Sequence, residues 1–194
     1  KMMLGLQWTN LFLILLSFIP GRESANLNFT VESSFFNDGE FIPSYFTCRG
    51  PNESPDLYWS GYPPESQSFA LVMKDVSSFV PPKERIHWVG WGMQSPKLDF
   101  GKPLPHEGVS DFQNTAGYRG PCPTDDKVHN YSITIFALDD SFPAFSLAPL
   151  SSTRDLASAM RGHRLGRAHL RFAFRRTRPP MVSLPPRKTS HAAA

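Results

Sequence analysis

The chain has 194 residues, room for one domain with a substantial core, and at 40% hydrophobic with 16 Phe it is not an intrinsically disordered polypeptide. Its 19 prolines disfavour an all-helical protein and suit a β-rich domain with stiff loops. The net charge of +3 hides an asymmetry, because residues 1–160 hold 11 Lys/Arg against 17 Asp/Glu, whereas residues 161–194 hold nine basic residues and no acid. The body is therefore not expected to bind nucleic acid.

Residues 1–25 read as an export signal: Lys1 supplies the positive charge, "LFLILLSFI" the apolar segment, and Pro20-Gly21 a break before a cut near Ala25. Secretion or periplasmic delivery is the expectation, with a cytoplasmic location as the alternative if residues 1–25 are not a signal. A single domain is expected over residues 26–174. "LNFTVES" (27–33) alternates as a half-buried strand does, and "SFALVMKD" (68–75) is apolar almost throughout, the pattern of a central strand covered on both faces. "HWVGWGM" (87–93) is a further strand, followed by a long Pro/Gly-rich loop to residue 123, and "YSITIFAL" (131–138) is another. "SSTRDLASAMRGH" predicts a helix with Ser152 as cap, Asp155 closing a capping box and Gly162 ending it. "RAHLRFAF" (167–174) alternates as a last strand. Residues 175–194 lack periodicity, carry Pro179, Pro180, Pro185 and Pro186, and are expected to form a disordered basic extension.

Cys48 and Cys122 leave two readings open, a disulfide closing a long loop or two free thiols. Neither sits in a C-x-x-C, and no His pair has ligand spacing, so no metal and no cofactor are expected. Chemistry concentrates at strand ends. Asp75 closes one strand, His87 opens the next, and His129 and Tyr131 stand two apart where "GPCPTDDKVHNY" turns from loop to strand. If the first two strands are antiparallel, these groups meet at one sheet edge. Two imidazoles, a phenol and backbone N–H groups around Gly120 and Pro121 would make a concavity for an anion, with Asp75 fixing one imidazole. A single histidine at such a place is more often a satisfied core residue; the density of polar groups beside Pro/Gly turns is what favours a site.

The stretches "FIPSYFTCRGPNESPDLYWSGYP", "SFALVMKDVSS", "IHWV", "GYRGPCP", "HNYSITIFALD" and "MRGHRLGRAHL", in this order and spacing, resemble the phosphatidylethanolamine-binding protein family, which includes the Raf kinase inhibitor protein, and in particular its bacterial-type branch. The resemblance implies a mainly β fold, a large antiparallel sheet packed with a smaller one and few peripheral helices. It implies a small anion pocket built from Asp75, His87, Gly120, Pro121, His129 and Tyr131. It further implies a monomeric, non-catalytic binding protein for a phosphate-bearing ligand or phospholipid head group, with a protein kinase or protease as a possible regulated partner. The family usually reads Asp-Pro-Asp-Ala-Pro where this chain has "DVSSF", so Ser77 stands in place of a second carboxylate and puts phosphoethanolamine selectivity in question. The competing reading is a hydrolase in which His87 or His129 is the base, Asp75 orients it and Ser77 or Ser78 attacks; no G-x-S-x-G surrounds either serine.

Overall fold

The computed structural model describes residues 28–77, 84–112, 115–140, 152–177 and 183–188. The expected export signal and Ser78 lie outside them. The described residues form eight strands, one α-helix and a 3-10 turn (Ser44–Phe46): β1 (Thr30–Glu32), β2 (Leu57–Ser60), β3 (Ser68–Asp75), β4 (Arg85–Met93), β5 (Lys97–Leu98), β6 (His106–Glu107), β7 (His129–Leu138), α1 (Thr153–Ala159) and β8 (Arg164–Phe174). They form a three-stranded sheet in the order β1-β2-β5 and a five-stranded sheet in the order β6-β4-β3-β7-β8, with every neighbouring pair antiparallel. The fold is thus the mainly β pair of sheets that the family resemblance implied. Among the described residues, no helix is long and apolar enough to cross a membrane.

Alternation along the strands decides what each sheet face covers. Leu71 and Met73 of β3, Ile133 and Ile135 of β7, and Leu170, Phe172 and Phe174 of β8 face the small sheet, where Val31, Leu57, Trp59 and Leu98 meet them in the main core. The opposite face carries Ala70, Val72, Val89 and Trp91, and α1 closes it with Leu156, followed by Met160. Strand β3 is therefore buried on both sides, as its unbroken apolar run requires. Helix α1 begins where the capping box predicts: Ser152 Oγ accepts from the Asp155 amide, and the Asp155 carboxylate accepts from the Ser152 amide.

Cys48 and Cys122 form a disulfide, 74 residues apart in sequence with Cα atoms 5.4 Å from each other. Residues 183–188 depart from the expected disordered extension. They lie against the segment after β1, where the Lys188 amide donates to the Ser34 carbonyl and Arg187 reaches Asp56. Sequence composition registers the prolines and charges of this segment but not the acidic partner it folds back to.

Candidate functional site

Antiparallel pairing puts the end of β3 and the starts of β4 and β7 at one edge. Asp75 is paired with Arg85 on one side and with Tyr131 on the other, so three strands bring a carboxylate, a guanidinium and a phenol into one row. A register shift falls between Met73 and Lys74, whose partners are Trp88 and Ile86, and His87 is the extra residue between them. Such a bulge re-aims the side chain it carries. The His87 carbonyl accepts from the Arg119 amide, and its Nδ1–H donates to the Arg119 carbonyl at 2.7 Å. The tautomer is thereby set, and Nε2 is the ring atom left for a ligand. Burial holds the His87 imidazole below its ordinary pKa, opposed by the Arg119 carbonyl and the Asp75 charge. Because the folded value is depressed, His87 costs no stability above the unfolded value of about 6.5 and becomes a growing penalty as pH falls below it.

His129 is clamped. Nδ1 lies 2.7 Å from Asp75 Oδ2 and Nε2 lies 3.0 Å from Asp125 Oδ1. A ring carrying both protons donates both bonds, whereas a neutral ring donates only one. Asp75 Oδ1 accepts from the Ser77 amide, and Ser77 Oγ accepts from the Asn130 amide. Ser77 therefore ties the end of β3 to the start of β7, with its hydroxyl committed to backbone.

Tyr131 is 1% exposed, stacks on Phe172 and takes the edge of His87. Among the described residues its hydroxyl has no hydrogen-bond partner, the Asp75 carboxylate being nearby but not in hydrogen-bonding geometry. Burial, then the Asp75 charge, pushes the phenol well above its ordinary range, so it stays a donor. An unpaired buried hydroxyl costs on the order of 1–3 kcal/mol, so something is expected to meet it.

These groups line a cavity of about 160 Å³, with Phe112, Cys122, Pro123 and Thr124 as further walls. Arg85 lies over the Phe112 ring, 5.6 Å from its centre, and is the guanidinium of this lining. Asp75, His87, His129 and Tyr131 thus converge on one cavity. Gly120 and Pro121 do not line it. The Gly120 N–H donates to Asn52 Oδ1 at 2.9 Å and the Pro121 carbonyl accepts from the Cys48 amide, so the expected backbone anion nest around Gly120 is already occupied by the protein itself. A Cβ on Gly120 would come within 2.2 Å of the Phe46 carbonyl oxygen and 2.5 Å of Asn52 Oδ1. Gly120→Ala is expected to cost about 2–3 kcal/mol, read as a lower midpoint in denaturant unfolding.

Sequence reasoning missed Arg85, Phe112 and Asp125. Arg85-x-His87 opposite Asp75 was a usable signal for the first, and the Asp125-x₃-His129 spacing for the last. Nothing in sequence signals Phe112, which reaches the cavity from a loop.

The phosphatidylethanolamine-binding protein family model matches residues 32–175. A UPF0098 protein of Methanothermobacter thermautotrophicus is 40% identical over 150 residues, 73% of this chain and 95% of that protein. A UPF0098 protein of Aquifex aeolicus is 32% identical over 155 residues, 75% of this chain and 88% of that one. Among solved structures, a phosphatidylethanolamine-binding protein homologue from Chlamydia trachomatis superposes with a TM-score of 0.69 at 28% identity, covering 76% of this chain and 97% of that one. YbcL of E. coli superposes at 0.68 and 24% identity, covering 76% and 98%, a likeness of fold.

Proposed function

The chain belongs to the phosphatidylethanolamine-binding protein family, and from that premise we propose that its cavity binds a small phosphate-bearing group without transforming it. The observation that carries this reading is the buried Tyr131 hydroxyl beside His87 and Arg85, which has no hydrogen-bond partner among the described residues. Phosphate oxygens accept from the phenol and the guanidinium, and a protonated phosphate oxygen can donate to His87 Nε2. The volume of about 160 Å³ is well below the 300 Å³ or more of drug-sized sites and suits one head group, leaving acyl chains outside. Asp75 and Asp125 in the same lining oppose a bare dianion, and Asp125 at the rim is placed for a cationic group on the ligand. A zwitterionic phosphate ester, a lipid head group or a phosphorylated side chain near a lysine, therefore fits better than inorganic phosphate. Inhibition of a kinase or protease would use the same chemistry presented on a protein surface. The hydrolase reading gains nothing from His129, which spends both ring nitrogens on carboxylates, or from Ser77, whose Oγ accepts from the Asn130 amide; it would have to rest on His87 Nε2 and Ser78, which lies outside the described residues.

Calorimetric titration tests the proposal. Phosphoethanolamine should bind more tightly than inorganic phosphate. Tyr131→Phe should weaken it by about fivefold, one hydrogen bond's worth, and His87→Ala by about tenfold or more. Binding should also take up protons as the phosphate–His87 contact forms, visible as a buffer-dependent heat. Affinities unchanged in both variants would remove the cavity from consideration as the binding site.

A further inference from the structure

Away from this cavity, Asp56 is a buried carboxylate, 6% exposed, at the start of β2. Its Oδ1 accepts from Ser33 Oγ and the Ser34 amide, and its Oδ2 from Ser34 Oγ. All these donors belong to the body of the domain, so the carboxylate is held in place whether or not anything else arrives. What arrives is the C-terminal segment. Arg187 Nη1 donates to Asp56 Oδ2 at 2.8 Å and to Ser34 Oγ at 2.9 Å, and its guanidinium lies 5.2 Å from the Phe35 ring centre. Lys188 Nζ donates to the Phe36 carbonyl and to Asn37 Oδ1, and its backbone N–H to the Ser34 carbonyl.

We propose that Asp56 with the turn from Ser33 to Asn37 is a recognition site for an arginine–lysine peptide segment, filled in this chain by its own Arg187 and Lys188. The site reads two successive side chains in order: a guanidinium that finds a carboxylate, a hydroxyl and an aromatic face, then an ammonium that finds a carbonyl and an amide oxygen. That is more than charge attraction, because a lysine in the first place would lose the planar guanidinium that faces the Phe35 ring while its Nη1 bonds Asp56 and Ser34. The occupant is held lightly. The Arg187 side chain is still 62% exposed and Leu184 is 43% exposed, so the segment buries little apolar surface and depends on polar contacts. Charge complementarity is local, since Glu32, Asp38 and Glu40 neighbour the groove and the Lys188 charge is felt at Glu40. A segment so held competes with any arginine–lysine segment offered by a protein partner, which makes the tail an intramolecular occupant of a protein-docking site.

The test uses the full chain carrying Arg187→Ala and Lys188→Ala, which empties the groove, and a fluorescent peptide of residues 183–188, followed by anisotropy up to millimolar concentration. The proposal expects saturable binding to this variant, at least tenfold tighter than to the unaltered chain, whose own tail competes. Replacing the peptide's arginine by glutamine should abolish most of that binding, and replacing it by lysine should weaken it. Adding Asp56→Asn to the protein should do the same; the peptide substitutions keep the conclusion secure even if that protein folds poorly. No saturable binding to the emptied variant, or equal binding of a scrambled peptide of the same charge, would overturn the proposal and leave Arg187 as a structural pin.

Discussion

Replacing Cys48 and Cys122 together by serine is expected to lower the unfolding free energy by about 4 kcal/mol and the melting temperature by on the order of 10 °C. The bond closes 74 residues that include β2 to β6, so its loss returns a large amount of freedom to the unfolded chain. The Gly120 and Pro121 contacts to Asn52 and Cys48 span the same junction, and they set a floor. They keep the loop near its place without the covalent tie but do not reduce the entropy of the unfolded state. Function should follow locally. Cys122 is a wall of the cavity and is followed by Pro123, Thr124 and Asp125, while Arg85, His87 and Tyr131 reach it from strands. The serine variant should therefore bind phosphoethanolamine more weakly with the strand-borne contacts intact, so that adding Tyr131→Phe still produces its own loss. Thermal unfolding of both proteins, and of the unaltered one with and without reductant, decides the matter. A shift below about 2 °C would mean that the non-covalent contacts already restrict the unfolded chain as the bond does.

How much of this was legible beforehand depended on length. β3, β4, β7 and β8 are 8 to 11 residues long and show their apolar pattern in sequence. β5 and β6 have two residues each and β2 has four, and none shows a period in sequence, so pairing with their neighbours is what makes them strands; β1 is the exception, three residues within the alternating run 27–33. The site followed the same rule. Asp75, His87, His129 and Tyr131 were visible because they stand at strand ends that antiparallel pairing must bring together. Arg85 was overlooked although it opens β4 beside His87. The bulge at His87 was not readable, because it arises from the pairing of β4 with β3 and from the loop at Arg119. Gly120 was read as an anion donor when its lack of a side chain serves close packing against Phe46 and Asn52. A glycine in a turn announces only that space or dihedral freedom is needed, and the neighbour that needs it comes from residues about 70 positions away.

The second large effect separates two roles of Asp75. Asp75→Ala should cost about 3 kcal/mol, because it strips the acceptor from a buried His129 N–H and from the Ser77 amide at once. Asp75→Asn should cost far less, for a reason that lies in the tautomers. The Asn oxygen can still accept from the Ser77 amide, and its NH2 can donate to His129 Nδ1 if the ring carries its proton on Nε2 and gives it to Asp125. The asparagine variant would then be folded but would hold His129 as a neutral ring in the opposite tautomer, where the native carboxylate accepts from Nδ1–H. Nitrogen chemical shifts of the His129 ring report the tautomer directly, and denaturant unfolding reports the cost. If the two variants are equally destabilised, the negative charge of Asp75 is what the fold requires. If asparagine is tolerated and its ring shifts show the switched tautomer, hydrogen-bond satisfaction holds this corner together, and the Asp75 charge serves the ligand. Phosphoethanolamine affinity in the asparagine variant then measures that service: a loss means that the Asp75–His129–Asp125 arrangement shapes the cavity for the ligand, and a gain means that the Asp75 charge repels the phosphate.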